Sequence, residues 1–263
     1  MSFPRLQLFE LEDLAWFPNI IRDLATDYLH FMETRFALHE PVVPLLRAML
    51  EDSKTSQVVD LCSGGGGPVL AIYESLVASG TRVRITLTDK YPNLKAFEHL
   101  SSLYPADILY IAHSVDATKV SRELTGLRTM FNAFHHFVPS GARAVLECAV
   151  EARQPICIFE IPERSWSMML PFVFTPIYVA LATPFIRPFR WKRLLWTYVI
   201  PLIPLMCWWD GMVSQCRAYT VVEMLDLTQG LNGYDWKAVR VDIQGTVGHV
   251  TYLRGIPSSP DAT

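Results

Sequence analysis

The sequence predicts an α/β protein whose core is a seven-stranded, mostly parallel β-sheet. Two observations carry this prediction. Between residues 56 and 160, short apolar runs alternate with segments of helical periodicity, as in parallel strands joined by crossover helices. Near the C-terminus, two further strands are expected at 234–243 and 249–256, separated only by residues 244–248. Because so short a link joins only antiparallel strands, we expect a C-terminal antiparallel hairpin.

The composition is that of one large globular domain, or of one domain with an insertion. The chain has 263 residues, of which 51% are hydrophobic and 19% charged, and its formal net charge is −3. The sequence has no dense basic run, so we expect no nucleic-acid partner. The five cysteines are scattered without a Cys/His spacing for zinc, which predicts reduced thiols, no metal site and a cytoplasmic location.

Residues 1–54 are predicted to form a helical N-terminal segment. Apolar residues from Leu11 to Met32 recur at helical spacing, and a second helix is expected from Val42 to Leu50. Pro18 interrupts the first pattern and suits the first turn of a helix. The segment could pack on the sheet or cover a ligand as a lid, and the sequence leaves both open.

Beyond this segment, strands and helices follow in order, and a polar side chain stands at or just after the end of each of the first five strands. Ligands of parallel sheets bind at the carboxyl ends of the strands, so the shared placement of these side chains predicts a binding site. They are Asp60, Asp89, Asp116, Asn132 and Glu160. The five strands are predicted at 57–61, 83–89, 108–113, 127–133 and 155–160, and helices at 68–79, 93–103, 140–152 and 220–229.

The first strand leads into the most distinctive stretch of the chain, Val58-Val59-Asp60-Leu61-Cys62-Ser63-Gly64-Gly65-Gly66-Gly67-Pro68. Consecutive glycines allow positive φ angles and close approach of the backbone to a ligand. A turn that opens a helix also presents free N–H groups to an anion. No Lys follows the glycines, which excludes a P-loop, and Val69 or Leu70 stands where a dinucleotide fingerprint needs its third glycine.

On these residues the chain resembles class I S-adenosylmethionine-dependent methyltransferases, in particular their small-molecule branch. The family pattern is Asp or Glu followed by x-Gly-x-Gly-x-Gly, and Asp60 to Gly66 match it with Cys62 in place of the first glycine. The resemblance covers about residues 55–162 and 218–256, including the C-terminal hairpin. It continues in Asp89, in Asp116-Ala117 and in Asn132-Ala133-Phe134-His135-His136-Phe137.

The resemblance implies a Rossmann-like fold with S-adenosyl-L-methionine as cofactor and S-adenosyl-L-homocysteine as product. In the family, the acid after the second strand binds the ribose hydroxyls, which assigns that role to Asp89. The position after the third strand, here Asp116-Ala117, lies on the adenine side. The implied cofactor-binding residues are Asp60, Cys62, Ser63, Gly64, Gly65, Gly66, Asp89, Lys90, Asp116, Ala117, Asn132 and Ala133.

Residues 163–213 break the alternation of strands and helices and are strongly apolar. The run from Trp166 to Ile186 carries no charge, contains three prolines and is followed by the basic cluster of residues 187–193. Three interpretations stay open: a cap over an apolar substrate, contact with a membrane surface through 166–209, or packing that includes a homodimer interface. The prolines and the basic cluster argue against a clean transmembrane span.

We therefore predict three segments: the N-terminal helical segment 1–54, a cofactor-binding core of 55–162 and 214–257, and the insertion 163–213. In the family, substrate contacts often come from the N-terminal segment, the loop after the fourth strand and any insertion after the fifth. All three are apolar and aromatic here, which suggests an apolar or aromatic substrate. The candidate substrate-binding residues are Phe17, Phe134, Trp166, Tyr178, Tyr198, Arg217 and Tyr219.

The candidate catalytic residues are His135, His136 and Asp210. The histidines follow the fourth strand, where the reacting atom would lie, and an imidazole can accept a proton from a substrate. A purely structural histidine is the alternative. Asp210 follows a long uncharged run and could orient the substrate or pair with Arg217, and we expect the pairing. Arg217 could in turn bind a substrate carboxylate or anchor the insertion.

The sequence thus predicts a methyltransferase that modifies O, N or C of an apolar or aromatic small molecule. Two alternatives stay open. One is a membrane-surface methyltransferase of a lipid or quinone-like substrate. The other is a cofactor-binding scaffold or regulatory partner without turnover.

Overall fold

The computed structural model describes residues 3–14, 16–244 and 248–258. The chain forms two compact units. The first, here called the helical unit, comprises Met1–Ala37 and Pro162–Tyr219, and the second, the sheet unit, comprises Leu38–Ile161 and Thr220–Thr263. The sequence grouped residues 38–54 with the N-terminal segment, whereas these residues belong to the compact unit that contains the strands.

The described elements follow the predicted order closely. The strands are β1 (Gln57–Asp60), β2 (Arg84–Leu87), β3 (Ile108–Tyr110), β4 (Leu127–Phe131), β5 (Ile156–Glu160), β6 (Tyr234–Asp242) and β7 (His249–Pro257). The helices are α1 (Asn19–Arg35), α2 (Val42–Asp52), α3 (Val69–Ala78), α4 (Leu94–Leu103), α5 (Pro139–Glu151), α6 (Trp166–Phe172), α7 (Thr175–Ala182), α8 (Trp191–Leu194), α9 (Leu202–Arg217) and α10 (Val221–Asp226).

The seven strands form one sheet in the order β3-β2-β1-β4-β5-β7-β6. Neighbouring strands from β3 to β5 are parallel, while β7 is antiparallel to both β5 and β6. The predicted mostly parallel sheet with a C-terminal antiparallel hairpin is therefore confirmed. Residues 245–247 of the predicted hairpin turn lie outside the described residues.

Each unit has its own apolar core. In the sheet unit, α2, α3 and α4 pack buried side chains such as Leu46, Leu76 and Phe97 against the strands. In the helical unit, residues of α1, α7 and α9 form a second cluster that includes Ile21 and Val179. Burial of this apolar surface is the main stabilising contribution in both units.

Local capping signals in the sequence position two helices of the sheet unit. The Asn93 side chain accepts a hydrogen bond from the Ala96 N–H at the start of α4. Thr220 and Glu223 form the predicted capping box at the start of α10. This helix ends at Asp226 rather than near residue 229 as predicted, and the chain turns at Gly230, whose φ is +76°.

The N-terminal helix begins directly after Pro18, as that residue indicates, whereas the apolar spacing before Pro18 does not form a helix. The helical spacing of apolar residues extends back to Leu11, but α1 starts at Asn19. The backbone N–H groups of Leu11 and Glu12 donate instead to the Asp210 carboxylate, at 2.6 and 3.1 Å. A side chain distant in sequence thus takes the place of helical carbonyl partners.

Among the described residues, no single helix has both the length and the apolar character needed to cross a membrane. The helix α6 and the run Thr175–Phe185, bent by 46° relative to each other, satisfy that test only as a pair.

Candidate active site

The predicted strand-end residues of the sheet unit converge where the strand order reverses. The chain moves from β1 outward to β2 and β3, and then returns to place β4 on the other side of β1. In open parallel sheets, ligands bind in the crevice outside the carboxyl ends of the strands at such a point. Asp60 ends β1, and its register neighbours are Leu87 on β2 and Thr129 on β4.

The Asp60 carboxylate is buried and held by two hydroxyl groups. Ser63 Oγ donates to it at 2.6 Å and Thr129 Oγ1 at 2.8 Å. The carbonyl of Asp60 accepts from the Thr88 hydroxyl at 2.8 Å. Burial raises the pKa of Asp60 to about 7, although the two hydroxyl hydrogen bonds oppose this rise. This acid therefore changes its charge near neutral pH.

The turn after Asp60 depends on positive φ angles. Cys62 has φ +59°, Gly64 +54° and Gly66 +94°. A Cβ at Gly66 would lie 2.2 Å from Leu100 Cδ1, so any other residue there requires the Leu100 side chain to move. Burial, reinforced by the charge of Asp89, raises the pKa of the Cys62 thiol. Cys62 is thus a neutral side chain in a left-handed backbone position rather than a nucleophile.

Asp89 links the end of β2 to this turn. Its Oδ2 accepts the Gly64 N–H at 2.8 Å, and its Oδ1 accepts the Tyr91 N–H at 2.7 Å. The side chain is half-buried. A carboxylate oxygen has more than one acceptor direction, so both oxygens can accept further hydrogen bonds in the orientation that these amides fix.

The predicted adenine-side residue Asp116 is the centre of a second group of hydrogen-bonded side chains. Asp116 accepts from the N–H and hydroxyl of Thr118 at 2.9 and 2.7 Å, and it lies 3.1 Å from Lys90 Nζ. The Thr118 hydrogen bonds, with a further contribution from Lys90, lower the pKa of Asp116 to about 2. Asp116 is therefore ionised at neutral pH, and Ala117 beside it is buried.

The segment after β4 is tied to the end of β5. Asn132, in a left-handed conformation with φ +51°, accepts the Ile161 N–H on its side-chain oxygen at 2.9 Å. Its own N–H donates to the Phe159 carbonyl at 2.8 Å. Asn132 thus holds the two strand ends together, and Ala133 leads into a short 3₁₀ turn, Phe134–His136.

This 3₁₀ turn places His135 against Glu160. Glu160 Oε1 accepts the Phe134 N–H at 2.7 Å, and Glu160 Oε2 lies 2.5 Å from His135 Nδ1. Both side chains are almost completely buried. A carboxylate that accepts the Nδ1–H places the basic lone pair of the imidazole on Nε2. The ring of His136 lies next to that of His135, with 4.4 Å between the ring centroids.

Sequence reasoning missed Thr88 and Thr129, which hold Asp60 in place, and it placed Glu160 among the strand-end residues without giving it a catalytic or binding role. A signal for all three was present. Glu160 ends the otherwise apolar strand β5, Thr88 directly follows β2, and Thr129 is the central residue of β4. A buried polar side chain needs a hydrogen-bond partner. Glu160 has such a partner in His135.

In the helical unit, the predicted pair of Asp210 with Arg217 is wrong. The Asp210 carboxylate accepts the Leu11 and Glu12 N–H groups, and burial raises its pKa to about 6. Arg217 is buried and pairs with Asp13 at 2.8 Å and with Glu10 at 3.2 Å. The acids of the N-terminal segment, rather than Asp210, compensate the buried guanidinium.

The other predicted substrate contacts of the helical unit have different surroundings. Phe17 lies in the apolar core of the unit, and Tyr219 is buried beneath the Arg5 guanidinium, 4.1 Å from its ring centroid. Trp166 and Tyr178 are exposed, as is Tyr198, whose hydroxyl donates to the Ala180 carbonyl. A substrate-binding role for these residues, and a catalytic role for Asp210, stay predictions.

Comparison with solved structures reveals similar folds at low sequence identity. An O-methyltransferase family protein from Burkholderia thailandensis is 13% identical with a TM-score of 0.51, over 88% of this chain and 59% of that chain. The fold is α/β and Rossmann-like, shared with that protein. The present chain thus spans less than two thirds of the length of this relative.

Two further solved structures resemble the chain. Magnesium protoporphyrin IX methyltransferase from Synechocystis PCC 6803, with bound SAH, is 10% identical with a TM-score of 0.46, over 84% of each chain. The plantazolicin methyltransferase in complex with SAH is 11% identical with a TM-score of 0.46, over 92% of this chain and 98% of that chain. No protein-family model matches the chain, and a search of curated proteins finds no match.

Proposed function

We propose that the protein transfers a methyl group from S-adenosyl-L-methionine to an apolar or aromatic small molecule, with S-adenosyl-L-homocysteine as product. One observation carries the proposal. The buried acid Asp60, the positive-φ glycine turn and Asp89 are joined into one constellation at the switch point of the sheet. The fold shared with an O-methyltransferase family protein supports the same function.

The residues present are chemically suited to this cofactor. Two vicinal ribose hydroxyls can donate to a carboxylate such as Asp89, whose orientation is fixed by the Gly64 and Tyr91 amides. The turn that opens α3 suits a carboxylate group, because backbone N–H groups at a helix start favour anions. The carboxylate of Asp89 favours a cationic ligand. When bound, the cofactor supplies a methyl group already activated by its sulfonium.

The chain's own residues then have to position the acceptor and remove its proton. We assign proton acceptance to His135 Nε2, because Glu160 fixes the opposite ring nitrogen and can stabilise the imidazolium that forms. Glu160 is a positioning residue, itself held by the Phe134 N–H.

Replacement of Asp89 by Asn tests the cofactor assignment. The change keeps the shape of the side chain but removes its charge and one acceptor oxygen. We expect the affinity for S-adenosyl-L-methionine to fall about 10- to 100-fold, since hydrogen bonds to charged groups contribute roughly 1.5–3 kcal/mol. Isothermal titration calorimetry measures this. Glu98→Gln, on an exposed position of α4, is the matched control and should bind like the wild type.

The assignment fails if the wild-type protein shows no saturable binding at millimolar cofactor, or if Asp89→Asn binds as tightly as Glu98→Gln. Binding alone does not separate an enzyme from a cofactor-binding scaffold, because both would retain these residues.

A membrane-surface methyltransferase of a lipid or quinone-like substrate is a more specific form of the proposal. The exposed apolar side chains of the helical unit favour that form.

A further inference from the structure

The helical unit exposes a row of large apolar side chains along α7. The 3₁₀ turn Thr183–Phe185 extends this helix. The exposed residues recur at intervals of three or four and therefore lie along one side. Leu181 is 66% exposed and Phe185 68% exposed, so these side chains are largely in solvent. We call this row the apolar stripe; it comprises Phe174, Ile177, Tyr178, Leu181 and Phe185.

The opposite side of the same helix is apolar as well. Val179, Ala182 and Ile186 are buried in the core of the helical unit, where they belong to the cluster formed with α1 and α9. A surface helix in a water-soluble protein normally carries polar residues on its outer side. A helix with one apolar side in the core and a second apolar side exposed indicates an apolar partner for the exposed side.

The charge of the surrounding segment is strongly asymmetric. Residues 164–209 contain no Asp or Glu and five Arg or Lys residues, although the whole chain has a net charge of −3. Two of the five, Arg190 and Arg193, lie 3.3 and 2.5 Å from Asp27. Arg187 and Lys192 are exposed, and neither forms an ion pair within the described part of the chain. The apolar stripe thus ends next to uncompensated positive charge.

We infer that the apolar stripe, with Arg187 and Lys192, is a docking surface for a lipid bilayer that contains anionic lipid. The stripe would lie at the boundary between headgroups and acyl chains, and the two basic side chains would contact lipid phosphates. The buried side of α7 belongs to the protein core, so the helix would lie on the bilayer rather than span it.

Charge complementarity favours the bilayer over a second copy of the chain. In a symmetric dimer the same surface faces itself. Burying the apolar stripe in that way would bring two sets of unpaired basic side chains close together, which is unfavourable. An anionic membrane instead offers both an apolar interior and negative charge. The inference does not depend on methyl transfer, but it fits a substrate that is dissolved in the membrane.

Vesicle flotation tests the inference with the full chain. One set of vesicles contains phosphatidylcholine alone, and the other contains phosphatidylcholine with phosphatidylglycerol. We expect the protein to float with the anionic vesicles, less strongly at high salt and least with phosphatidylcholine alone.

The double variant Arg187→Gln/Lys192→Gln tests the basic side chains. Since each basic residue near the surface contributes about a fivefold change in partitioning, this variant should bind anionic vesicles about 25-fold more weakly.

The double variant Leu181→Asp/Phe185→Asp tests the apolar stripe. Binding should fall by at least about tenfold, because transfer of one such side chain to an apolar environment changes the equilibrium about 10- to 100-fold. Val77→Asp/Leu103→Asp is the matched control, since these exposed apolar residues lie on α3 and α4 of the sheet unit. The control should float like the wild type. Circular dichroism and thermal unfolding establish that both variants are folded.

Three results would overturn the inference. The wild type could stay unbound to anionic vesicles at low salt, or the stripe variant could float as well as the control. The wild type could also be a dimer that the stripe variant dissociates, without flotation, which would assign the stripe to a second copy. Titration of the same samples with S-adenosyl-L-methionine keeps failure of membrane docking distinct from failure of the proposed function.

Discussion

Asp60 combines complete burial with a position at the centre of the candidate site. Its folded-state pKa is about 7, against an ordinary value of 3.8, so the folded protein keeps this proton to a higher pH than the unfolded chain does. The stability that Asp60 contributes is therefore fully present below about pH 4 and is lost as the pH rises through about 7.

Replacement of Asp60 by Asn should remove this dependence on pH. Relative to the variant, the wild type should lose unfolding free energy on the order of a few kcal/mol between about pH 4.5 and pH 7.5. Urea unfolding across this range measures the difference. Asp116→Asn is the control, because the pKa of Asp116, about 2, places its titration below the range. A constant difference between wild type and Asp60→Asn would show that the buried group does not titrate there.

His135 and Glu160 give a second prediction about single residues. If His135 accepts the substrate proton, His135→Gln should lower kcat about 10²- to 10⁴-fold, the usual range for general base catalysis. Glu160→Gln should lower kcat less and change the pH profile of kcat, because it acts only through the imidazole. His99→Gln, at an exposed position of α4, is the control. Unchanged kcat in His135→Gln would leave His135 a structural residue.

The connection from β1 through the glycine turn to α3 is the element that organises the site, and it depends on close packing against α4. Gly64 and Gly66 both have positive φ, but a Cβ on Gly64 meets no atom within 4 Å, whereas one on Gly66 meets Leu100 at 2.2 Å. Alanine substitutions at the two positions therefore distinguish the effect of backbone strain from that of steric overlap.

We predict that Gly64→Ala destabilises the protein by roughly 1–2 kcal/mol through its backbone conformation alone. Gly66→Ala should cost roughly 1–3 kcal/mol more, the usual range for overpacking. Urea unfolding measures both. Adding Leu100→Ala should recover part of the loss in Gly66→Ala but none in Gly64→Ala. Equal destabilisation by the two alanines would show that α4 does not constrain the turn.

The elements that could be predicted from the sequence are those specified by local signals. The alternation of strands and helices, the short hairpin connection and the Thr220–Glu223 capping box all depend on residues close in sequence. Pro18 marked the start of α1, but the non-helical course of residues 11–14 could not be predicted, because Asp210, about 200 residues away, binds the amides of Leu11 and Glu12. The same long-range arrangement, with Arg217 paired to N-terminal acids, made the predicted Asp210–Arg217 pair wrong.

The candidate site shows the same limit. Asp60, Asp89 and the glycine turn are recognisable along the sequence, since the family pattern is contiguous there. The hydroxyl that Thr129 donates to Asp60 cannot be recognised along the sequence, because Thr129 becomes a neighbour of Asp60 only when β4 pairs with β1. Cys62 adopts a left-handed conformation, with φ +59°, at the position where the matched pattern has glycine.

In the molecule as a whole, the two compact units carry different chemistry. The sheet unit contains the glycine turn, the strand-end acids and the His135–Glu160 pair. The helical unit contains the apolar stripe and the acid-free segment 164–209. This division predicts that substitutions in the apolar stripe change membrane partitioning and leave cofactor affinity unchanged, whereas Asp89→Asn does the opposite. Flotation and calorimetry on Leu181→Asp/Phe185→Asp and on Asp89→Asn measure the two effects. Loss of both membrane binding and cofactor affinity in either variant would contradict this prediction.

Methyl transfer itself is tested most directly with S-adenosyl-L-methionine that carries a deuterated methyl group. The wild-type protein is incubated with this cofactor and with aqueous and lipid extracts of cells, and the products are examined by mass spectrometry. We predict S-adenosyl-L-homocysteine together with an apolar or aromatic compound that has gained one labelled methyl group, both strongly reduced with Asp89→Asn at a cofactor concentration that does not saturate the wild type. Saturable cofactor binding without a labelled product in either extract would contradict an enzymatic role and assign the protein to the cofactor-binding scaffolds.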